Sequence, residues 1–240
     1  MTDHRHDAFA RLALGAMVVL SMIKLLTADD PVTLQRERMV SEQIASRAVR
    51  NPDVLRVMRA TPRHLFVPIA IRSMAYEDHP LPLGYGATIS QPYIVALMTQ
   101  LLRPNQGQRA LEIGTGSGYQ AAILAQLVRH VYTIEIVPEL AQSAARTLRE
   151  LGYSNITVRQ GDGYKGWPEE APFDAIIITA APLELPRTLI EQLSKGGRLV
   201  APVGSMWQQD LILIEKKADG SITRRSAGAV NFVPMRPDAK

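Results

Sequence analysis

The feature that most constrains this chain is the stretch Arg109-Ala110-Leu111-Glu112-Ile113-Gly114-Thr115-Gly116-Ser117-Gly118-Tyr119-Gln120. In it a short apolar run meets three alternate glycines and then an Ala- and Leu-rich segment. It reads as a strand, a tight turn and a helix N-terminus. Glycines let the backbone turn sharply and leave no side chain between the main chain and a ligand lying against the first helical N–H groups. In an open α/β sheet such a turn is where a cofactor binds.

The spacing narrows the choice of cofactor. A dinucleotide fingerprint, Gly-x-Gly-x-x-Gly, would place its third glycine at position 119, where Tyr119 stands, so a nicotinamide dehydrogenase is disfavoured. Gly114, Gly116 and Gly118 alternate strictly, and Glu112 sits two residues before the first of them. An acid there suits a positively charged ligand better than a pyrophosphate. Further on, the run Val131-Tyr132-Thr133-Ile134 ends in Glu135, placing a carboxylate at the next strand tip, where it can accept hydrogen bonds from both ribose hydroxyls. A ribose and a cationic centre without a phosphate describe S-adenosylmethionine. The pattern is similar to the methyltransferase version of this fold. The competing reading is a glycine turn that serves packing alone.

Composition sets the frame. With 240 residues, 46% hydrophobic and 21% charged, the chain is an ordinary globular protein with room for one sizeable core. A net charge of +4 and a pI near 9.5 come from scattered Lys and Arg, with no dense basic run interleaved with aromatics, so no nucleic-acid groove is expected. The absence of cysteine excludes disulfides, a thiolate metal site and a cysteine nucleophile, and fits a reducing compartment. No metal is expected, and chemistry must come from oxygen or nitrogen groups.

Residues 1–30 read as a leader or extension. His4-Arg5-His6 and Arg11 precede a mostly apolar run from Leu12 to Leu26, like the n- and h-regions of a signal peptide, but the run is short for a membrane span and Leu26-Thr27-Ala28 is a poor cleavage site. A cytoplasmic protein is the first expectation, with export or anchoring through this leader as the alternative. Residues 31–240 read as one methyltransferase domain. Residues 31–90 form a small helical cap and substrate loop; residues 91–240 form the cofactor-binding sheet and a C-terminal substrate segment.

Within the cap, Thr33 to Ala60 shows a helical period broken at Asn51-Pro52, so two short helices are expected. Two prolines between Thr61 and Pro68 stop the period, and His64 there reads as a structural hydrogen-bonding residue. The Pro- and Gly-punctuated stretch Asp78 to Tyr93 reads as a long loop entering the helix Ile94 to Leu102. Ser90 stands at that entrance, where its hydroxyl can either cap the helix or face a ligand.

After the glycine turn, helices are expected over Gln120–Arg129 and Pro138–Leu151, and a strand over Asn155–Arg159. That strand leads into Gly161-Asp162-Gly163, where Asp162 can accept a hydrogen bond from an exocyclic amine such as adenine N6 or simply form an Asp-Gly turn. Phe173 to Ala180 is a near-continuous apolar run, as expected of a central parallel strand buried on both faces. A short helix from Leu189, stopped by Lys195-Gly196-Gly197, precedes strands over Arg198–Val203, Leu211–Lys216 and Ile222–Arg225, with Asp219-Gly220 marking a hairpin.

Taken together, Gly86-Ala87-Thr88-Ile89-Ser90-Gln91-Pro92-Tyr93, the glycine stretch, Gly161-Asp162-Gly163, the run Gly196 to Gly204 and Val230-Asn231-Phe232-Val233-Pro234 resemble the protein-L-isoaspartate O-methyltransferases. The likeness covers Leu34 to Pro234. The glycine motif is shared by many methyltransferases, whereas the Thr-Ile-Ser-Gln-Pro loop combined with the late Phe-Val-Pro segment is far more specific. The resemblance implies a Rossmann-like class I S-adenosylmethionine-dependent methyltransferase, with a central mostly parallel sheet flanked by helices and a small helical cap. It implies a repair enzyme that methylates the α-carboxylate of isoaspartyl residues in damaged proteins and peptides. Separately, a monomer is expected. On the resemblance, Ser90 orients the reacting carboxylate; Thr88, Ile89 and Val233 line the isoaspartyl pocket. Glu112 lies near the methionyl end of the cofactor, Gly114, Thr115, Gly116 and Gly118 along it, Glu135 on the ribose, and Asp162 and Gly163 at the adenine. A methyltransferase acting on another carboxylate or a small molecule, or an inactive cofactor-binding interaction module, are the alternatives.

Overall fold

The computed structural model describes residues 30–237; all but the last residue of the leader expected over residues 1–30 lies outside them. Among the described residues the first helix, α1 (Pro31–Arg38), runs directly into a π-helical turn (Met39–Ala45), and α2 (Pro52–Ala60) follows. Asn51 separates them because its Oδ1 accepts the amides of Asp53 and Val54 at 2.9 and 3.2 Å, and Pro52 occupies the first helical position, where no N–H partner is needed. Then come β1 (Leu81–Gly84), β2 (Ala87–Ile89), α3 (Pro92–Leu102), β3 (Arg109–Ile113), α4 (Tyr119–Ala125), β4 (His130–Glu135), α5 (Pro138–Glu150) and β5 (Ile156–Gln160). The chain ends with β6 (Phe173–Ile178), α6 (Arg187–Glu191), β7 (Leu193–Ser205), β8 (Gln208–Lys216) and β9 (Ile222–Val230).

Seven strands form one sheet in the order β5-β4-β3-β6-β7-β8-β9. The first five are parallel, and β8 and β9 are antiparallel additions. Because β3 leads to β4 on one side while β6 lies on the other, the strand order reverses between β3 and β6. Crevices at such a switch point, outside the carboxyl ends of the strands, are where ligands bind. Alternate residues feed two cores: Ala110, Ala175, Ile177 and Val200 face α2, α3 and α4, while Leu111, Ile113, Ile176, Ile178 and Leu199 face Leu189 of α6 and Phe173. Fully burying each such aliphatic side chain is worth roughly 1.5–3 kcal/mol.

The cap shares the first of these cores. Met39, Val40, Ile44, Val54 and Met58 are buried with Ala110 and Val131 of the sheet. Tyr119, at the start of α4, stacks edge-on against Phe66 with ring centroids 5.4 Å apart, and the guanidinium of Arg63 lies 5.0 Å from the Tyr119 centroid. Arg63 is completely buried and donates from Nε to Ala75 O at 2.7 Å; burial pushes its pKa down to about 10. His64 Nδ1 lies 2.7 Å from the Tyr76 hydroxyl, a structural bond as its lone position suggests.

Several boundaries differ from the sequence reading. The stretch Asp78–Tyr93 contains the β1–β2 hairpin, concealed by Pro82 and by a turn in which Tyr85, a residue with a side chain, adopts φ +53°. Helix α4 ends at Ala125, four residues early. The stop at Lys195-Gly196-Gly197 lies inside β7, where the register shifts, because a Cβ at Gly197 would sit 2.9 Å from Asp174 O on the neighbouring strand. Strand β9 continues to Val230 through largely exposed residues that carry no alternating pattern.

Candidate active site

Strands β3, β4 and β6 end side by side and set the glycine turn between them. The Gly114 amide donates to Ile134 O at 2.8 Å, and the Gly118 amide to Thr115 O at 2.8 Å. All three glycines have positive φ, at +97°, +53° and +85°, but their surroundings differ. A Cβ at Gly114 would overlap Thr179 Oγ1, and one at Gly118 would press on Leu148 at 3.1 Å. At Gly116 it would meet only Leu83, at an ordinary 3.5 Å. The first and third glycines therefore let neighbouring elements approach; the second is required for its backbone conformation.

Glu135 fastens this turn. Its Oε2 accepts the Gly116 amide at 2.8 Å and its Oε1 the Val137 amide at 3.0 Å, so each oxygen keeps acceptor capacity for a further donor. A cavity opens beside it, walled by Ile113, Gly114, Ile134, Glu135, Ile136 and Val137 on one side. Gly163, Thr179, Ala180, Val233, Pro234 and Met235 close the other, with Tyr85, Thr88 and Arg236 at the hairpin side. An adjoining recess is lined by Thr88, Ile89, Ser90, Thr115, Ser117 and Gln120. Cavity and recess share Thr88, Gly114, Gly116 and Thr179, so they form one continuous cleft around the turn.

The structure brings most of the sequence-derived residues to this cleft. Thr88, Ile89, Ser90, Gly114, Thr115, Gly116, Glu135, Gly163 and Val233 line it. Ser90 does not cap α3: the N-cap position belongs to Gln91, no side chain bonds the first turn of that helix, and the Gln91 amide reaches back to Asp78. Three residues stand apart. Gly118 packs under α5. Asp162 accepts the Tyr164 amide at 2.9 Å with one oxygen, caps the short turn Gly163–Lys165, and lies behind Gly163. Glu112 is wholly buried beneath the turn, where its Oε2 meets Thr133 Oγ1 at 2.6 Å and its Oε1 has no partner. Desolvation, aided by the charge of Glu135, pushes its pKa up to about 8.

Of four further lining residues, only Thr179 left a signal in the sequence. Thr179 ends the apolar run of β6 and donates to Gly114 O at 2.7 Å, pinning the turn to the strand. Ile136 merely follows a strand-end acid, and Tyr85 and Arg236 arrive only through the tertiary fold. A polar residue closing an otherwise apolar central strand is the one clue the sequence held.

The donor set fits an adenosyl sulfonium nucleoside. Glu135 presents a carboxylate at the tip of the second strand, aliphatic side chains offer an apolar wall for a base, and Gly116 and Gly163 bring main chain to the surface. Fold and site together define a class I S-adenosylmethionine-dependent methyltransferase. The family model for protein-L-isoaspartate(D-aspartate) O-methyltransferase matches residues 34–240. A Synechococcus protein-L-isoaspartate O-methyltransferase is 53% identical over 215 residues, covering 87% of this chain and 88% of its own. A solved protein-L-isoaspartate O-methyltransferase superposes with a TM-score of 0.74 at 30% identity, covering 83% of this chain and 65% of that longer one. A Plasmodium falciparum structure solved under the same enzyme name, in complex with S-adenosyl-L-homocysteine, gives a TM-score of 0.73 at 25% identity, with 85% and 99% covered. This chain belongs to the protein-L-isoaspartate(D-aspartate) O-methyltransferase family.

Proposed function

We infer that this protein methylates the α-carboxylate of L-isoaspartyl residues in damaged proteins and peptides, with S-adenosylmethionine as methyl donor. The observation that carries the reading is the continuous cleft, in which the Glu135 cavity and the Thr88-Ile89-Ser90 recess meet across Gly114, Gly116 and Thr179. One compartment suits the nucleoside and the other the acceptor. The bound donor supplies an electrophilic methyl group on a cationic sulfur.

The chain's own task is then alignment. A terminal-type carboxylate has a pKa near 3.5 and is ionised at neutral pH, so attack needs no general base, only positioning and the exclusion of water. Ser90 is assigned to hydrogen-bond and orient the carboxylate, without becoming a covalent nucleophile. Thr88, Ile89 and Val233 hold the isoaspartyl unit, Glu135 the ribose, and Gly163 lets the main chain approach the adenine. Asp162 is assigned to the adenine amine through the oxygen not bound by Tyr164. Glu112 acts from below the turn, as a buried acid facing Thr133.

Residues 31–240 are read as one domain, supported by the core that cap and sheet share. The protein is further proposed to act as a monomer, and in the cytoplasm, which suits a chain without cysteine. Among the described residues no helix is long and apolar enough to cross a membrane. The deciding experiment offers radiolabelled S-adenosylmethionine with isoaspartyl peptides and their normal aspartyl counterparts. Label should enter only the former; label in neither, or in both alike, overturns the assignment. Sedimentation and the mass of the native N-terminus check monomer and compartment.

A further inference from the structure

We propose that an exposed apolar rim formed by Leu183, Met206 and Trp207 seats an apolar side chain of the substrate polypeptide close to its isoaspartyl residue, so that this protein selects damaged sites with hydrophobic neighbours. The proposal rests on the isoaspartyl reading above and extends it to the flanking sequence.

Among the described residues seven large apolar side chains are strongly exposed; of these Tyr85 lines the cleft, Leu183 follows Pro182, and Met206 and Trp207 form the tip of the β7–β8 hairpin. Trp207 is 92% exposed, Leu183 74% and Met206 66%. Their position follows from the register of the sheet. Val200 of β7 pairs with Ile177 of β6, yet β7 continues to Ser205, so at about 3.3 Å per residue the β7–β8 hairpin tip stands well beyond the carboxyl ends of the parallel strands.

The tip is tied to the cleft wall. Gly204 N donates to Pro182 O at 3.0 Å, immediately before Leu183, and Ala181 N donates to Val233 O at 2.8 Å. Gln209 closes the frame by exchanging hydrogen bonds with the Phe232 backbone, at 3.0 and 2.7 Å. Val233 walls the cavity. The rim and the wall of the Glu135 cavity that carries Val233, the residue assigned above to the isoaspartyl unit, are thus parts of one hydrogen-bonded frame.

A polypeptide is the occupant that this continuity selects. An isoaspartyl residue remains part of a main chain that has to leave the cleft, and an extended chain advances about 3.4 Å per residue, so residues two to four positions away sweep past the rim. Polar turn residues would close the β7–β8 hairpin equally well. Met and Trp at its tip instead offer the adaptable and aromatic surface typical of recognition sites.

The test uses the full chain and two matched isoaspartyl peptides, one carrying leucine and one serine at the positions two to four residues from the isoaspartate. The unmodified protein should prefer the leucine peptide by about tenfold in kcat/KM, mostly through KM, as expected for burying one aliphatic side chain. Trp207→Ser combined with Met206→Ser should abolish that preference, leaving the rate on the serine peptide and the affinity for S-adenosylhomocysteine unchanged. With only two tryptophans in the chain, the difference between the spectra of the unmodified protein and Trp207→Ser reports residue 207. Its emission should shift to the blue on binding the leucine peptide and stay fixed with the serine peptide. Equal use of both peptides, or a preference that survives the substitutions, overturns the proposal, as does a dimer that the substitutions dissolve. Methylation of neither peptide removes the proposed function as well, whereas methylation of both at equal efficiency removes only the rim.

Discussion

Thr133 Oγ1 lies 2.6 Å from Glu112 Oε2, deep under the glycine turn, and the same hydroxyl meets Thr115 Oγ1 at 2.7 Å. A carboxyl group, two hydroxyls and the turn that borders the cleft are thereby linked through two strands with no exposed atom of Glu112. The acid of the glycine motif thus acts on the turn from within the core.

This burial has a measurable pH signature. In the folded protein Glu112 holds its proton up to about pH 8, whereas its ordinary value is 4.5. Between those values the unfolded chain binds fewer protons than the folded one, so this group's contribution, complete below pH 4.5, is lost as pH rises through 8. Glu112→Gln stays neutral throughout and escapes that loss. In cofactor-free protein the stability of the variant relative to the parent should climb from pH 5 to pH 8, by at most about 1.4 kcal/mol per unit. Urea unfolding across that range measures it, and a gap independent of pH would mean that the buried acid is already charged.

Glu135 fastens the turn and is proposed to hold the ribose, and its substitution should report on both. Removing the carboxylate proposed to accept the ribose hydroxyls should weaken S-adenosylhomocysteine binding by about 1–3 kcal/mol in Glu135→Ala. The same change releases the Gly116 and Val137 amides. Glu135→Gln retains one acceptor and should fall between parent and alanine variant. Titration calorimetry gives the three constants; an alanine variant that binds as tightly as the parent takes Glu135 out of the nucleoside site.

Ser90 separates catalysis from folding. Because the N-cap of α3 is Gln91 and Ser90 lines the recess, Ser90→Ala should cost less than about 0.5 kcal/mol of stability. Turnover on an isoaspartyl peptide should drop about ten- to hundredfold through misalignment of the acceptor. Cofactor affinity should hold. The opposite pattern, a destabilised protein with normal turnover, would return Ser90 to a structural role.

The reach of the sequence can be seen in the same residues. Strands β3, β4 and β6 were legible because parallel strands covered on both faces need apolar residues at nearly every position, and the alternate glycines fix the turn between them. Side-chain direction was not legible to the same degree. Glu112 precedes Ile113, and successive residues of a strand point to opposite faces, so once Ile113 walls the cavity Glu112 must point into the core beside Thr133. Strand β1 and the Tyr85 turn were hidden because proline and glycine signal loops more strongly than a short hairpin signals itself. Most of β9 faces solvent, so burial left no pattern to read.

Gly163 offers a test in which packing and binding can be told apart. Its φ is not positive, so alanine meets no backbone penalty there, but the added Cβ would overlap Ile113 Cγ2 and approach Met235 Cε at 3.1 Å. Both side chains wall the cavity. Gly163→Ala should therefore cost about 1–3 kcal/mol of stability by overpacking and should also weaken nucleoside binding as Ile113 and Met235 move. Gly152→Ala is the control: at φ +83° with nothing within 4 Å of the new Cβ, it adds backbone strain far from the cleft. It should lower the melting temperature while leaving the S-adenosylhomocysteine dissociation constant where it was. Equal effects of the two substitutions on binding would show that the approach of Gly163 to Ile113 and Met235 does not shape the nucleoside cavity.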